Sequence, residues 1–421
     1  MRITIVCLAF SHNYFARRWE LFAEAYPDMD VTLLAPAQHS FYQKKNYSYG
    51  KTLNAAGHEV DKGNFHVRVF SKKQKGFIWW TKDFKRLLDE SKPDIIYHIG
   101  LHTQYSLVQL LRLRKKYYPN TKVMAFSMRG PNHDIAFLRA LNKKHWTLKG
   151  ALKHLYTKFV VNYVNKRVDA ILCHYPDALD SFKRDGYNGP IYIQTQVGVN
   201  GEWFYQDEEA RKEMRAQLGL GDSYVFASAA RFTSDKGVDD VLKALPKDGN
   251  WKYVLMGAGH KEETNYLKSI IESRGIQKKV VLTGFIDWLN MPKYWNAVDC
   301  AIHVPKTTDA WVETFSLTVV QAMKTGLPLI VDDSGSVPYQ VGNDAIIVQE
   351  GDGKAISQAM QDLIDHPEKG REIGMKLKER AEKCFEVKHL NACIHNIFID
   401  VSKGIYDKDK IDMTSYLVGK E

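Results

Sequence analysis

The chain has 421 residues, 44% of them hydrophobic and 26% charged, which is enough to bury a large core and favours two domains over one. No apolar run reaches the roughly eighteen residues a membrane-spanning helix needs, so nothing in the sequence reads as a span. The formal net charge is +10, but it is unevenly spread: residues 1–197 hold 31 Lys and Arg against 15 Asp and Glu, whereas the remainder holds 28 against 34. An asymmetry of this size points the first half toward a polyanion or an anionic lipid surface.

Met1-Arg-Ile-Thr-Ile-Val-Cys-Leu-Ala-Phe10 is apolar only briefly and lacks a small-residue cleavage pattern, so it reads as a first β-strand and not as a signal peptide. Of the five cysteines none forms a C-x-x-C pair, and Cys7, Cys173 and Cys300 sit inside apolar strand patterns. They read as buried thiols of a reducing, cytosolic compartment. Strands are predicted over Ile3–Leu8, Val31–Ala35, His66–Phe70, Ile95–Ile99, Lys122–Ser127 and Ala170–His174, with helical patterns between most of them. The first helix is Phe15–Ala25, closed by Tyr26-Pro27. This alternation predicts a mostly parallel sheet covered on both faces. Asp28-Met-Asp30 has the spelling of a metal-binding D-x-D, but its place in a short turn before the second strand makes it a pair of surface carboxylates.

Two segments of this half are strongly basic, Leu110–Tyr118 and Phe137–Phe159. Apolar and aromatic residues recur in them at helical spacing with Lys and Arg between. That pattern fits a helix covering the sheet with a solvated basic face, and it equally fits a helix lying on an anionic membrane. No nucleic-acid-binding module accompanies the charge.

A boundary is predicted near Gln196-Val-Gly-Val-Asn-Gly-Glu-Trp-Phe204, giving domains at 1–200 and 201–385 and a C-terminal segment, 386–421, expected to pack back on the first domain and end in a polar tail. After the boundary come a charged helix, Glu208–Leu218, and strands over Tyr224–Ala229, Tyr253–Met256, Val280–Thr283, Cys300–Val304, Leu327–Val331 and Ala345–Val348. The fold class is therefore α/β, two Rossmann-like doubly wound halves in tandem.

The second half carries the chemistry. Arg231 follows the strand ending at Ala230, and Lys236-Gly237 precedes a helix, so two cations lie off a strand's carboxyl end, where open α/β sheets bind ligands. Tyr253-Val-Leu-Met-Gly-Ala-Gly259 runs a strand into Gly257, which lets backbone approach a ligand or a facing strand. Thr283-Gly-Phe-Ile286 ends the next strand in a turn. Trp311 to Asp333 then reads as loop, short helix, Gly-Leu-Pro turn and buried strand, with Glu313 before the helix and Gln321 inside it. Such a helix start presents unpaired N–H groups and partial positive charge, a ready anion site.

Taken in order, a Gly-Val-Asn linker, Arg-x4-Lys-Gly, Gly-x-Gly, Thr-Gly-Phe, Glu-x7-Gln, Gly-Leu-Pro and a Gly-x-Val-Pro turn at Gly335–Pro338 resemble the nucleotide-sugar-binding half of family 4 glycosyltransferases of the two-Rossmann, GT-B architecture. The resemblance covers roughly residues 196–385. In the first half it rests on layout and on Lys92-Pro-Asp-Ile-Ile96 and Gln104-Tyr-Ser106. It implies retaining sugar transfer from a nucleoside diphosphate sugar to an acceptor hydroxyl, in a cleft between the halves and without a bound metal or other cofactor. It also implies that Arg231 and Lys236 hold the donor diphosphate, that Glu313 lies near the donor sugar, and that Phe315, Ser316 and Leu317 present backbone N–H groups to a phosphate. Gly257 and Ile286 join the donor site.

There are two departures. The family's second carboxylate, which normally binds the ribose, is Gln321 here; a neutral acceptor in place of a charged one weakens that bond by about 1 kcal/mol, roughly fivefold in donor affinity. The family's glycine-rich loop after the first strand is Phe10-Ser-His-Asn-Tyr14 here, and its histidine after a later strand is replaced by Ser127-Met-Arg-Gly-Pro131. His12, His98, His102 and Arg129 are the candidates to line the acceptor cleft. UDP-sugar is favoured over GDP-sugar as donor because it is commoner. The basic first half suggests a glycan or lipid-linked acceptor of the cell envelope and a peripheral, cytoplasmic position on an anionic membrane; nucleic acid is not a partner. The alternatives are a non-catalytic GT-B protein that binds donor or glycan, and an epimerase or phosphorylase of the same architecture.

Overall fold

The computed structural model describes residues 1–7, 13–36, 59–70, 81–100, 104–127, 148–246, 248–308 and 311–406. These form two compact units, one of residues 1–196 with 390–406, the other of residues 197–389. The units divide between Gln196 and Val197 and between His389 and Leu390, beside the divisions expected at 200/201 and 385/386.

In the first unit the chain runs β1 (Arg2–Cys7), α1 (Asn13–Ala25), β2 (Asp30–Pro36), β3 (Val60–Lys62), β4 (Phe65–Phe70), α2 (Thr81–Ser91), β5 (Ile95–Ile99), α3 (Tyr105–Tyr117), β6 (Lys122–Ser127), α4 (Leu148–Asn165), β7 (Ala170–Cys173), α5 (Ala178–Arg184) and β8 (Ile191–Ile193). The strands form one sheet in the order β3-β4-β2-β1-β5-β6-β7-β8, parallel except for the β3–β4 pair at its edge. The central strands are near-continuous apolar runs because helices cover both faces. α3 shows the division of labour within a covering helix: Leu107, Val108, Leu110, Leu111 and Leu113 are buried, while Arg112, Lys115 and Lys116 face solvent.

The second unit runs α6 (Glu208–Gln217), β9 (Tyr224–Ala229), a 3-10 turn (Ser234–Lys236), α7 (Val238–Ala244), β10 (Trp251–Met256), α8 (Lys261–Ser273), β11 (Val280–Gly284), α9 (Met291–Asn296), β12 (Cys300–His303), α10 (Leu317–Lys324), β13 (Leu329–Asp332), α11 (Val337–Val341), β14 (Ile346–Val348), α12 (Gly353–Asp365) and α13 (Pro367–Cys384). Its sheet is all parallel in the order β11-β10-β9-β12-β13-β14. The direction of winding reverses between β9 and β12, and a crevice opens beyond the carboxyl ends of strands at such a point. Two apolar layers enclose this sheet. Val225, Ala227, Ala301 and Val331 face one layer, and Phe226, Ile302 and Ile330 face the other, the alternation expected of strands.

The strand predictions hold at the sheet centres. Two strands escaped them, β3 and β8, each only three residues long. β13 starts at Leu329 because Leu327 N–H turns back to the Ala322 carbonyl and closes α10. All five cysteines are buried and unbridged. Among the described residues no helix is long and apolar enough to cross a membrane.

The last helix, α14 (Val387–Lys403), places Cys393, Ile394, Ile397 and Phe398 in the first unit's core against Trp19, Phe22 and Tyr97. Gln194 Nε2 donates to the Leu390 carbonyl at 2.6 Å, and a second side chain reaches further. The buried Arg18 guanidinium donates to Asn391 Oδ1 at 3.2 Å, the Leu390 carbonyl at 3.3 Å and the Gln196 carbonyl at 2.6 Å. It thus ties α1 to both points where the chain passes between units. Arg18→Met removes these donors while keeping much of the stem, and is expected to cost about 1.5–3 kcal/mol. Urea denaturation, with amide exchange over residues 387–403, measures it; wild-type protection of that helix in the variant would contradict the assignment.

Candidate functional site

The site is built where β9 and β12 end. After β9 the chain passes Arg231, which is exposed and makes no side-chain hydrogen bond or ion pair among the described residues. The 3-10 turn follows and ends on Gly237 at φ +64°, a left-handed conformation. A Cβ at Gly237 would collide with the Val304 carbonyl, so only glycine lets this turn close on the end of β12. Lys306 N–H donates to the Asp235 carbonyl at 2.9 Å and fixes the same approach. Lys236 is thereby carried over the β12 strand end.

Its ammonium lies 2.7 Å from Glu313 Oε2 and 4.0 Å from the centre of the Trp311 ring. Glu313 is only 7% exposed. Burial alone would push its carboxyl up, but the His303 imidazole and the Lys236 ammonium outweigh burial and bring it down to about 2. His303 Nε2 is 3.5 Å from the same Oε2. Glu313 is therefore an ionised, buried carboxylate throughout the physiological range.

The start of α10 comes next. Ser316 caps it, its Oγ accepting from Val319 N–H at 3.4 Å. Gln340 pins the cap from the side: its Oε1 accepts from Ser316 N–H at 2.8 Å, and its Nε2 donates to the Ser316 carbonyl at 3.0 Å. Of the N–H groups expected to meet a phosphate, that of Ser316 is thus already used. Leu317 N–H, and next to it Thr318 N–H, which was not among those expected, take no acceptor among the described residues and are open to an anion. Phe315 is half-buried, its ring 5.8 Å from Phe385.

Other expected residues stand differently. Gln321 is 4% exposed, within a helix whose residues from Val319 to Lys324 are all buried, and its Oε1 accepts from Trp295 Nε1–H at 3.3 Å. One of the two acceptor positions of that oxygen is therefore committed to the core. Gly257 serves backbone packing: a Cβ there would strike the Ala230 carbonyl, and its N–H donates to the Gly284 carbonyl at 3.0 Å. Ile286 is half-buried against the apolar layer that contains α10. In the first unit His98 is 1% exposed, its Nε2 2.8 Å from Ser106 Oγ, and burial lowers it to about 4. It is a neutral core residue, a correction to its expected place at an accessible edge. His12, His102 and Arg129 lie outside the described residues.

Sequence reasoning missed His303 and Gln340. A histidine ending an apolar run just before Pro305 was a signal for the first; Gln340 reaches the cap across the sequence and left none. No group of three or more His, Cys, Asp and Glu suited to a metal occurs among the described residues. A cavity of about 570 Å³ does exist in this unit, but at the opposite strand ends, where Arg211 and Arg215 are committed to Asp299. The chemistry-bearing groups are at the carboxyl ends, so the functional assignment follows them.

This is a Rossmann-type unit with its cations, carboxylate and open helix start gathered at the topological switch point. Residues 210–383 match the family described as Glycosyl transferases group 1. Among sequence relatives, the GDP-mannose-dependent alpha-(1-6)-phosphatidylinositol monomannoside mannosyltransferase of Mycolicibacterium smegmatis is 28% identical over 186 residues, covering 42% of this chain and 48% of its own. The lipopolysaccharide core biosynthesis mannosyltransferase LpsB of Rhizobium meliloti is 25% identical over 173 residues, covering 38% and 47%. The chain thus spans about half the length of the curated relatives it matches. Among solved structures, sucrose-phosphate synthase of Thermosynechococcus elongatus superposes with a TM-score of 0.70 at 15% identity, over 95% of this chain and 98% of its own. Anabaena HepE, in complex with UDP and glucose, gives 0.69 at 16% identity, over 95% and 100%. The fold is GT-B.

Asp332, at the end of β13, supplies a check on the local electrostatics. It is buried, its Oδ1 accepts from Ser334 N–H at 3.2 Å, and burial together with Glu350 and Asp333 pushes it up to about 8. The native state then keeps a proton that the unfolded chain releases above its ordinary value of 3.8, so this group erodes stability as pH rises from about 4 to 8. Asp332→Asn is expected to have the higher Tm at pH 7.5, with the gap closing by pH 4. Thermal denaturation across that range checks it; a gap that widens in acid would contradict the sign.

Proposed function

We propose that the protein is a retaining glycosyltransferase that moves a sugar from a nucleoside diphosphate sugar to an acceptor hydroxyl. The observation that carries the reading is the convergence, at one switch point, of Arg231, Lys236 and the open N–H groups of Leu317 and Thr318 with a buried carboxylate, Glu313. Cations and N–H dipoles held in advance stabilise charge as it develops on a leaving diphosphate, and this is where such a transferase needs its catalytic power. Arg231 and Lys236 neutralise the diphosphate in place of a metal ion, and Glu313 accepts from hydroxyls of the donor sugar. Gln321 keeps the role of a ribose acceptor with its remaining lone pair, which makes it a modest contributor.

Relatives named as GDP-mannose-dependent support GDP-mannose as the first donor to try, ahead of the UDP-sugars favoured on commonness alone. Names that refer to phosphatidylinositol mannoside, O-antigen and lipopolysaccharide core support a lipid-linked or cell-envelope glycan as acceptor. The first unit is assigned to the acceptor. Incubation with GDP-mannose and with UDP-sugars, followed by mass detection of transferred or hydrolysed sugar, is expected to show turnover with one nucleotide class. Arg231→Ala is expected to lower kcat about 10²–10³-fold, as removal of one charge-stabilising group does. Nucleotide-sugar binding without any sugar release would support the pure binder instead.

We further assign the first unit to the cytoplasmic face of an anionic membrane. On α4, Leu155 and Phe159 are 62% and 57% exposed one turn apart, with Tyr156 beside them and Lys158 and Lys166 also exposed. α3 packs against α4 and adds Arg112, Lys115 and Lys116. Exposed apolar side chains on a helix that also bears exposed cations are the chemistry of a helix at a lipid surface. Co-sedimentation is expected with anionic but not neutral vesicles, and Leu155→Ser/Phe159→Ser is expected to weaken it about tenfold; equal binding to both vesicle types contradicts the assignment.

A further inference from the structure

One carboxylate in this protein faces two bases. Glu313 Oε2 is 2.7 Å from Lys236 Nζ and 3.5 Å from His303 Nε2, and all three side chains are at most 13% exposed. The longer contact falls short of a sound hydrogen bond, and His303 Nε2 has no other partner. The ring nitrogen is therefore placed to close on Glu313 Oε2 if the Lys236 contact is given up. In the ligand-free protein Lys236 makes the close contact with Glu313, at 2.7 Å, and His303 stands back at 3.5 Å.

A nucleoside diphosphate changes that balance. It draws on the Lys236 ammonium and brings its own negative charge, leaving Glu313 buried beside an anion. Hydroxyls of a donor sugar would give that carboxylate hydrogen bonds but no countercharge, and an uncompensated buried charge is strongly unfavourable. We propose that His303 is a positioning residue: when a nucleoside diphosphate takes Lys236, His303 takes up a proton and replaces it as the partner of Glu313. The inference rests on the reading of Lys236 as a diphosphate ligand. Its consequence is that donor binding is linked to proton uptake, with the cationic imidazole holding Glu313 in place for the sugar.

The groups around His303 allow the exchange. Among the described residues Glu313 and Lys236 are the charges that face it, from the loop before α10 and the turn after β9. Arg231, following the neighbouring strand β9, makes no ion pair there. Asp332, at the end of the adjoining strand β13, lies on the other face by strand alternation and is held by Ser334 N–H. Histidine is the side chain whose ordinary pKa makes such uptake available near neutral pH.

Titration calorimetry of the full chain with UDP and with GDP at pH 7.5, in buffers of different ionisation enthalpy, counts the protons. The wild type is expected to take up more than His303→Gln, by up to about one proton per site, and its affinity to rise more steeply as pH falls from 8 to 6.5, by up to about tenfold per unit. Proton release by the nucleotide itself is common to both proteins and cancels in the difference. Equal proton counts in two proteins that both bind overturn the proposal and leave the proposed function standing; binding of neither nucleotide by the wild type overturns both. Should His303→Gln fail to fold, the His303 imidazole signals of the wild type decide it by NMR: a pKa raised on nucleotide binding supports the exchange, and an unchanged one overturns it.

Discussion

The Lys236–Glu313 ion pair is the interaction on which the site of the second unit depends. Both partners are almost out of water, so the pair is weak as a source of net stability: desolvation offsets most of its attraction. What it does is fix two side chains from distant parts of the sequence in one place. The rest of the local structure serves that placement. Gly237 lets the turn after β9 close on the Val304 carbonyl, Trp311 covers the ammonium, and Gln340 clamps the cap of α10 beside the carboxylate. The sheet supplies the location, since the strands that carry the two partners are neighbours only because the winding reverses between them.

The first unit is governed by a different constraint, the disposal of excess positive charge around an apolar sheet. Its helices bury one face and turn Lys and Arg outward, as α3 does, while some cations are neutralised internally, as Arg114 is by Asp169. Among the described residues Arg18 is the exception that turns inward, where carbonyls and Asn391 receive it at the points where the chain leaves and re-enters this unit. Leu155 and Phe159 are exposed on a helix of this unit that also bears exposed Lys158 and Lys166.

Much of the fold was legible because its signals are local. Long apolar runs such as Ile95–Ile99 and Tyr224–Ala229 announce central parallel strands, whereas the edge strands β3 and β8 went unpredicted. Within the site, Arg231, Lys236, Glu313 and the start of α10 were readable because each follows a strand end or opens a helix. Contacts that depend on tertiary approach were not. Nothing local tells that Gln340 would occupy Ser316 N–H, or that His303 would share Glu313. His98 went the other way: a histidine at a plausible strand position was read as lining a cleft, and packing buried it, since β5 lies at the centre of its sheet.

The cations and helix start at the β9/β12 switch point are proposed to receive a nucleoside diphosphate. A crystal structure with GDP or UDP bound tests it most directly. The diphosphate is expected between Arg231 and the N–H groups of Leu317 and Thr318, with Lys236 Nζ drawn toward it and away from Glu313. A nucleotide bound elsewhere, or at this point with the 2.7 Å Lys236–Glu313 contact undisturbed, would contradict it.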